Sequence, residues 1–258
     1  MRFELNKNIV TPTTAFNSWF DTTYYHALYQ NRNDEEAQGF IDNLLDELQP
    51  TSRAHMLDLG CGSGRHSRYL AAKGFSVHGI DLAANSIRDA NRYCTESLTF
   101  DKHDMRRPFG DNRYDVVFNF FTSFGYFKHT EENDAVVSNM AASMKDGAEL
   151  VIDYLNAEVA IDNLVPVEEK EIDGIWYKIN RWCDERFIYK RIAVTDQRLL
   201  RGNVFVEQVA RFTVDDFDRM LSRNGLQLTN VFGDYSLSTF DSKRSPRMIL
   251  LAKKIKVC

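Results

Sequence analysis

The stretch His55-Met56-Leu57-Asp58-Leu59-Gly60-Cys61-Gly62-Ser63-Gly64 decides the fold. A short apolar run carrying one acid meets three glycines at alternate positions, which predicts a strand running into a tight turn. Arg65 to Lys73 then has apolar residues at helical spacing and stops at Gly74, a residue suited to a left-handed cap. Strand, glycine turn and helix gather backbone N–H groups around a ligand, because glycine permits positive φ and close approach. The following run, Phe75 to Asp81, reads as a second strand ending in an acid. An acid at that strand end, about 20 residues past the first glycine, is where nucleotide-binding folds hold a ribose hydroxyl pair.

Two ligand classes fit this arrangement. The dinucleotide fingerprint G-x-G-x-x-G needs a third glycine where this chain has Arg65, and a side chain there hinders close helix–strand packing. The acid-x-Gly-x-Gly-x-Gly string of Asp58, Gly60, Gly62 and Gly64, followed by Gly79-Ile80-Asp81-Leu82, instead resembles class I, Rossmann-like S-adenosylmethionine-dependent methyltransferases. The resemblance implies S-adenosyl-L-methionine as cofactor, with Asp58, Gly60, Cys61, Gly62, Asp81 and Leu82 around it. A tight turn with no ligand is the bland reading of the same residues.

With 258 residues and 43% hydrophobic content, the chain can bury one good-sized core, so a single α/β domain with an insertion is expected. A net charge of −5 disfavours a broad polyanion-binding face and therefore nucleic acid. The four cysteines, Cys61, Cys94, Cys183 and Cys258, show no metal spacing, so no metal is expected and reduced thiols in a cytoplasm are the simplest account. No long apolar segment suggests a membrane.

Residues 15 to 48 read as two helices broken near Asn31 to Asn33. The first is rich in aromatics, and Trp19 and Phe20 are expected in a core. In methyltransferases of this kind a helix before the glycine motif folds over the cofactor, so the resemblance implies that Tyr24 and Arg32 meet the methionine carboxylate. An exposed helix-end charge explains Arg32 equally well.

Further along, the resemblance places Asp104 and Met105 at the adenine. Asp104 capping a turn before Pro108 is the alternative. Tyr114 to Phe120 is a strong fourth strand. It runs out into Phe121-Thr122-Ser123-Phe124-Gly125-Tyr126-Phe127, a string resembling that of a small-molecule methyltransferase subgroup. Open α/β sheets bind ligands beyond the carboxyl ends of strands, so Asn119, Phe120 and Phe121 are expected at the cofactor, with packing an equal account of Phe124 and Phe127. Methyltransferases acting on exocyclic amines of nucleobases or on glutamine side chains usually carry a double proline here. This chain lacks it, which disfavours those substrates.

A helix from Thr130 closes at Gly147, and a fifth strand, Ala148 to Tyr154, is expected to bring Tyr154 and Asn156 to the same rim. From Val165 to Arg211 the period changes to two, predicting a three-stranded antiparallel insertion that serves as substrate lid or dimer surface. Thr213 and Asp216 form a capping box, and two last strands form a hairpin at one sheet edge.

The expected architecture is thus a Rossmann-like, seven-stranded, mostly parallel sheet with helices on both faces. Its parts are an N-terminal helical lid (1–50), a cofactor-binding core (51–164), the β insertion (165–211) and the C-terminal part of the sheet (212–258). The expected activity is methyl transfer from S-adenosylmethionine to a nitrogen or oxygen of a small molecule. Tyr25, His66, Tyr126 and His129 are candidate bases, and no catalytic residue is assigned. A non-catalytic S-adenosylmethionine sensor and an NAD-dependent dehydrogenase are the alternatives.

Overall fold

The computed structural model describes residues 19–29, 34–196 and 202–256. Two helices, α1 (Thr23–Leu28) and α2 (Asp34–Leu48), precede an alternation of strands and helices. This comprises β1 (His55–Leu59), α3 (Arg65–Ala72), β2 (Ser76–Asp81), α4 (Ala84–Ala90), β3 (Leu98–Lys102), β4 (Tyr114–Asn119), α5 (Thr130–Ser143) and β5 (Met144–Leu155). A short α6 (Ala157–Asp162) leads to the insertion, β6 (Val167–Ile172), β7 (Ile175–Cys183), β8 (Phe187–Asp196) and β9 (Asn203–Ala210). The chain returns through α7 (Val214–Arg223), β10 (Leu226–Phe232) and β11 (Arg247–Lys254).

The main sheet has seven strands in the order β10-β11-β5-β4-β1-β2-β3. Strands β1 to β5 pair in parallel, and β11 enters antiparallel between β5 and β10. The near-continuous apolar strands follow from burial on both faces. In β1, Met56 joins the cluster under α2, α3 and α4 while Leu57 joins the one under α5 and α7; in β4, Val116 and Val117 divide the same way. Strand order reverses between β1 and β4, which opens the crevice where such sheets bind ligands.

The insertion is a separate antiparallel sheet of four strands in the order β6-β7-β8-β9, one more than the sequence reading expected. The overlooked strand, β6, is Val-Glu-Glu-Lys-Glu-Ile, whose charges hide its alternation and protect it as an edge. It turns into β7 through Asp173 (φ 52°) and Gly174 (φ 77°), the paired positive φ values of a type I′ hairpin. Two further differences concern β5 and its exit. The chain is already extended from Met144, with Met144 paired to Tyr114, so Gly147 lies within β5 and does not close α5. Tyr154 and Asn156 do not reach the rim. The Tyr154 hydroxyl, fully buried, donates to the Ala210 carbonyl at 2.7 Å, and Asn156 Nδ2 donates to the Ser242 and Ser245 carbonyls, both at 2.8 Å.

Candidate functional site

A cavity of about 370 Å³ lies beyond the carboxyl ends of β1 to β4 and is roofed by the α1 region. The turn after β1 forms its floor. Gly60, Gly62 and Gly64 have φ of +82°, +56° and +82°, values that favour glycine at each position. They do different work. A Cβ on Gly60 would fall 2.6 Å from Ser123 Cβ, and one on Gly64 2.5 Å from the Phe100 ring, so both glycines are forced by packing. A Cβ on Gly62 would meet no described atom within 4 Å, because that backbone faces open cavity.

Asp81 closes the turn from the end of β2. Its Oδ2 accepts from Gly62 N at 2.8 Å and its Oδ1 from Ala83 N at 2.7 Å. Burial pushes its pKa up, against the pull of those backbone donors. Leu82 and Cys61 stand beside it on the wall, and burial holds the Cys61 thiol well above its ordinary range. Asp104 and Met105 line the cavity from the loop after β3. The Asp104 carboxylate meets Arg106, with Nη2 at 2.7 Å and Nε at 3.0 and 3.2 Å, and these bonds hold its pKa down. Arg106 also donates to Glu132 Oε1 at 2.7 Å.

From the loop after β4, Phe120 and Phe121 reach the cavity. The His66 ring lies against both, with centroids 4.6 and 5.2 Å away, and the Arg65 guanidinium sits 5.0 Å from the Phe121 centroid. Phe121 and Thr122 have φ of +54° and +56°, a strained pair for residues with side chains. A buried network holds them. Asp153, with no solvent exposure, accepts from Phe121 N at 2.9 Å, from the Tyr235 hydroxyl at 3.2 Å and from Arg247 Nε at 2.7 Å; Arg247 Nη2 also donates to Thr122 Oγ1 at 3.0 Å.

Three of the residues expected at the cofactor stand behind the wall. Asp58 is 1% exposed; its Oδ2 accepts from Ser67 Oγ at 2.6 Å, which ties β1 to α3, and its Oδ1 has no hydrogen-bond partner among the described residues. Asn119 is fully buried and donates to the Leu59 carbonyl at 2.7 Å, bracing the exit of β1. Tyr24 packs onto the insertion's inner face, and its carbonyl accepts from the Tyr177 hydroxyl at 3.1 Å. Arg32 lies outside the described residues. Of the candidate bases, Tyr25, His66 and Tyr126 line the cavity and His129 does not.

Burial raises the Asp58 pKa to about 7. In the folded protein Asp58 therefore keeps a proton that the unfolded chain releases near pH 4, and the stability this gives is lost as pH rises toward 7. In the absence of ligand, Asp58→Asn is expected to gain on the wild type between pH 4 and pH 8 by on the order of 4 kcal/mol, read from urea unfolding. A difference that stays flat across that range contradicts the assignment.

Among the described residues, one cavity residue comes from the insertion. Glu207 of β9, 9% exposed, lines the cavity near Phe20, Tyr25 and Tyr126. The alternating pattern of the insertion does not by itself single it out, and the insertion's Trp176 and Trp182 do not line the cavity. Both tryptophans are exposed, and Trp182 stacks on Tyr189 with centroids 5.2 Å apart. The available signal was parity, since Glu207 occupies the inward register of Phe205, where an apolar residue is the rule.

A family model described as "Methyltransferase domain" matches residues 56–147. The "Putative methyltransferase YqeM" of Bacillus subtilis (strain 168) is 27% identical over 254 residues, covering 94% of this chain and 97% of that one. Among solved structures, an S-adenosylmethionine-dependent methyltransferase from Clostridium acetobutylicum ATCC 824 superposes with a TM-score of 0.75 at 16% identity, covering 90% and 96% of the two chains. The sugar N-methyltransferase KedS8 from Streptoalloteichus sp ATCC 53650 gives 0.72 at 17% identity, covering 99% and 100%. Residues 56–147 thus match a methyltransferase domain, and the chain has the class I, Rossmann-like fold of these structures. No described helix is long and apolar enough to cross a membrane.

Proposed function

We propose that the protein transfers the methyl group of S-adenosylmethionine to a nitrogen or oxygen of a small-molecule acceptor. The observation that carries this reading is the open face of Gly62 beside the Asp81 carboxylate, at the switch point of a sheet whose first turn lies in the matched methyltransferase domain. When bound, S-adenosylmethionine supplies a sulfonium-activated methyl: the acceptor's lone pair forms the new bond to carbon as the S–C bond breaks, its pair going to sulfur.

The residues of the chain do the rest by position. Asp81 orients the Gly62 and Ala83 amides, and its remaining lone pairs suit a ribose diol. Leu82 and Met105 supply apolar surface for a flat base, and Asp104, fixed by Arg106, offers an acceptor edge to its amine. Asp58 and Asn119 act as positioning residues for the glycine turn. Phe120 and Phe121 exclude water and present aromatic faces to a cation. Much of the acceleration then comes from aligning acceptor and methyl in a dry cavity.

KedS8 is by name a sugar N-methyltransferase. A cavity walled by aromatics and carboxylates suits a compact polar acceptor of that general kind, and we place the protein in the cytoplasm with free S-adenosylmethionine. The outward tryptophans of the insertion suit a homodimer contact. The test is an acceptor screen of amino sugars and small amines with isotopically labelled methyl donor, read by mass spectrometry. Label transfer to a small molecule supports the proposal. Tight binding of S-adenosylhomocysteine with no transfer to any acceptor favours a sensor.

A further inference from the structure

We infer that Glu207 is the acceptor-selecting residue of this cavity and that the acceptor it selects is an amine bound as its cation. The inference rests on the methyltransferase reading of the cavity and names its substrate class.

Among the described residues, four carboxylates line the cavity, Asp34, Asp81, Asp104 and Glu207, against a single guanidinium, that of Arg65. Three of the four are committed. Asp34 pairs with Arg65 at 3.7 Å, Asp81 holds the glycine turn, and Asp104 is engaged by Arg106. Glu207 differs in its surroundings, because aromatic rings surround it. Oε1 accepts from the indole N–H of Trp19, which packs on Phe205 with centroids 4.7 Å apart. Tyr25 meets Trp19 edge-on at 5.7 Å and Phe20 at 5.1 Å, and Phe20 meets Tyr126 at 5.3 Å.

Among the described residues, the nearest cation does not satisfy the other oxygen. Lys190, Glu207's cross-strand partner, keeps Nζ 3.8 Å from Oε2, beyond hydrogen-bond reach, and donates instead to the Tyr29 hydroxyl. Burial holds the Lys190 pKa down, which weakens its claim on the carboxylate. On the far side of β8, Arg181 and Lys170 are occupied with Glu168, each at 2.6 Å. Glu207 thus presents a carboxylate oxygen with open lone pairs to a cavity lined by Phe20, Tyr25 and Tyr126. A carboxylate among aromatic faces recognises an aminium: the oxygen accepts the N–H hydrogen bond and then that proton, which frees the nitrogen lone pair to attack the methyl carbon, and the ring faces stabilise the charge and the N-methyl groups. A hydroxyl acceptor engages neither feature fully. The same arrangement holds the methylated product cation.

The experiment uses the full chain loaded with S-adenosylhomocysteine at pH 7.5, titrated by NMR with N,N-dimethylethanolamine, a cation at that pH, and with its uncharged isostere 3-methylbutan-1-ol. The wild type is expected to bind the aminium roughly tenfold more tightly than the alcohol. In Glu207→Gln that preference is expected to vanish, while S-adenosylhomocysteine affinity, which also reports folding, stays the same. In Lys190→Met, where the competing cation is gone, the preference is expected to grow. Equal affinities in the wild type, no binding of either probe, or a preference that survives Glu207→Gln or shrinks in Lys190→Met overturns the inference. Failure to bind S-adenosylhomocysteine at all overturns the underlying methyltransferase reading as well.

Discussion

Replacing Arg247 with Met is expected to destabilise the protein by about 3–5 kcal/mol, because it leaves the Asp153 carboxylate buried without its counter-ion. Asp153 has no solvent exposure, and Arg247 Nε and Nη2 lie 2.7 and 2.6 Å from its Oδ1. The loss reaches beyond one pair. The same carboxylate holds Phe121 N, and the same guanidinium holds Thr122 Oγ1, so the network secures two consecutive residues at positive φ. Urea unfolding gives the stability, and titration with S-adenosylhomocysteine on the folded fraction reports the loop that carries Phe120 and Phe121. The double variant Arg247→Met with Asp153→Asn removes both charges and is expected to recover part of the loss. A cost under about 1 kcal/mol for Arg247→Met contradicts this account of the loop.

The second large effect separates two glycines of one turn. Gly64→Ala combines a left-handed φ of +82° with a Cβ 2.5 Å from the Phe100 ring. Phe100 is only 5% exposed and has little room to give. The expected cost is about 2–5 kcal/mol, summing strain and overpacking. Gly62→Ala at φ +56° adds its methyl to open cavity, so stability falls by only about 1–2 kcal/mol. Its methyl stands where a cofactor would approach the backbone, so affinity for S-adenosylhomocysteine is expected to fall at least tenfold by that contact alone. Thermal unfolding and calorimetry on both variants check the contrast. Equal stability losses with equal affinities contradict it.

The core of the fold was legible because its signals are local. His55 through Gly64 show strand, turn and positive φ in ten residues, and Thr213 with Asp216 shows a helix start that the structure forms as a reciprocal cap, Asp216 Oδ2 accepting from Thr213 N at 2.9 Å. What escaped was set by long-range pairing. Asp153 and Arg247 stand 94 positions apart, and neither has a local partner to mark it. Each is nonetheless a charge at the edge of an apolar run, Val151-Ile152-Asp153-Tyr154 and Arg247-Met248-Ile249-Leu250, a pattern that demands a buried counter-ion. The strand β6 escaped because its charges outnumber its apolar residues, although Asp173-Gly174 is a strong hairpin signal.

The candidate site divides along the same line. Residues that project from the strand-end loops, such as Asp81, Leu82, Asp104 and Phe120, follow from topology and reach one cavity. Asn119 and Tyr24 follow from adjacency in sequence, and the side-chain directions of β4 and α1 carry them away from it. Glu207 comes from a strand more than 120 positions past the matched turn and is brought in only by the docking of β9, where Ala210 N donates to the Gly125 carbonyl at 2.8 Å.

The most direct test of the central claim is calorimetric titration of the purified protein with S-adenosylmethionine, S-adenosylhomocysteine and NAD, with Asp81→Ala beside the wild type. The account predicts micromolar binding of the first two, no binding of NAD, and a loss on the order of 100-fold in the variant, which removes both the Gly62 and Ala83 anchors and the ribose acceptor. Binding of NAD with neither methyl-donor compound would contradict it, and the turn from Asp58 to Asp81 would then belong to a hydride-transfer enzyme.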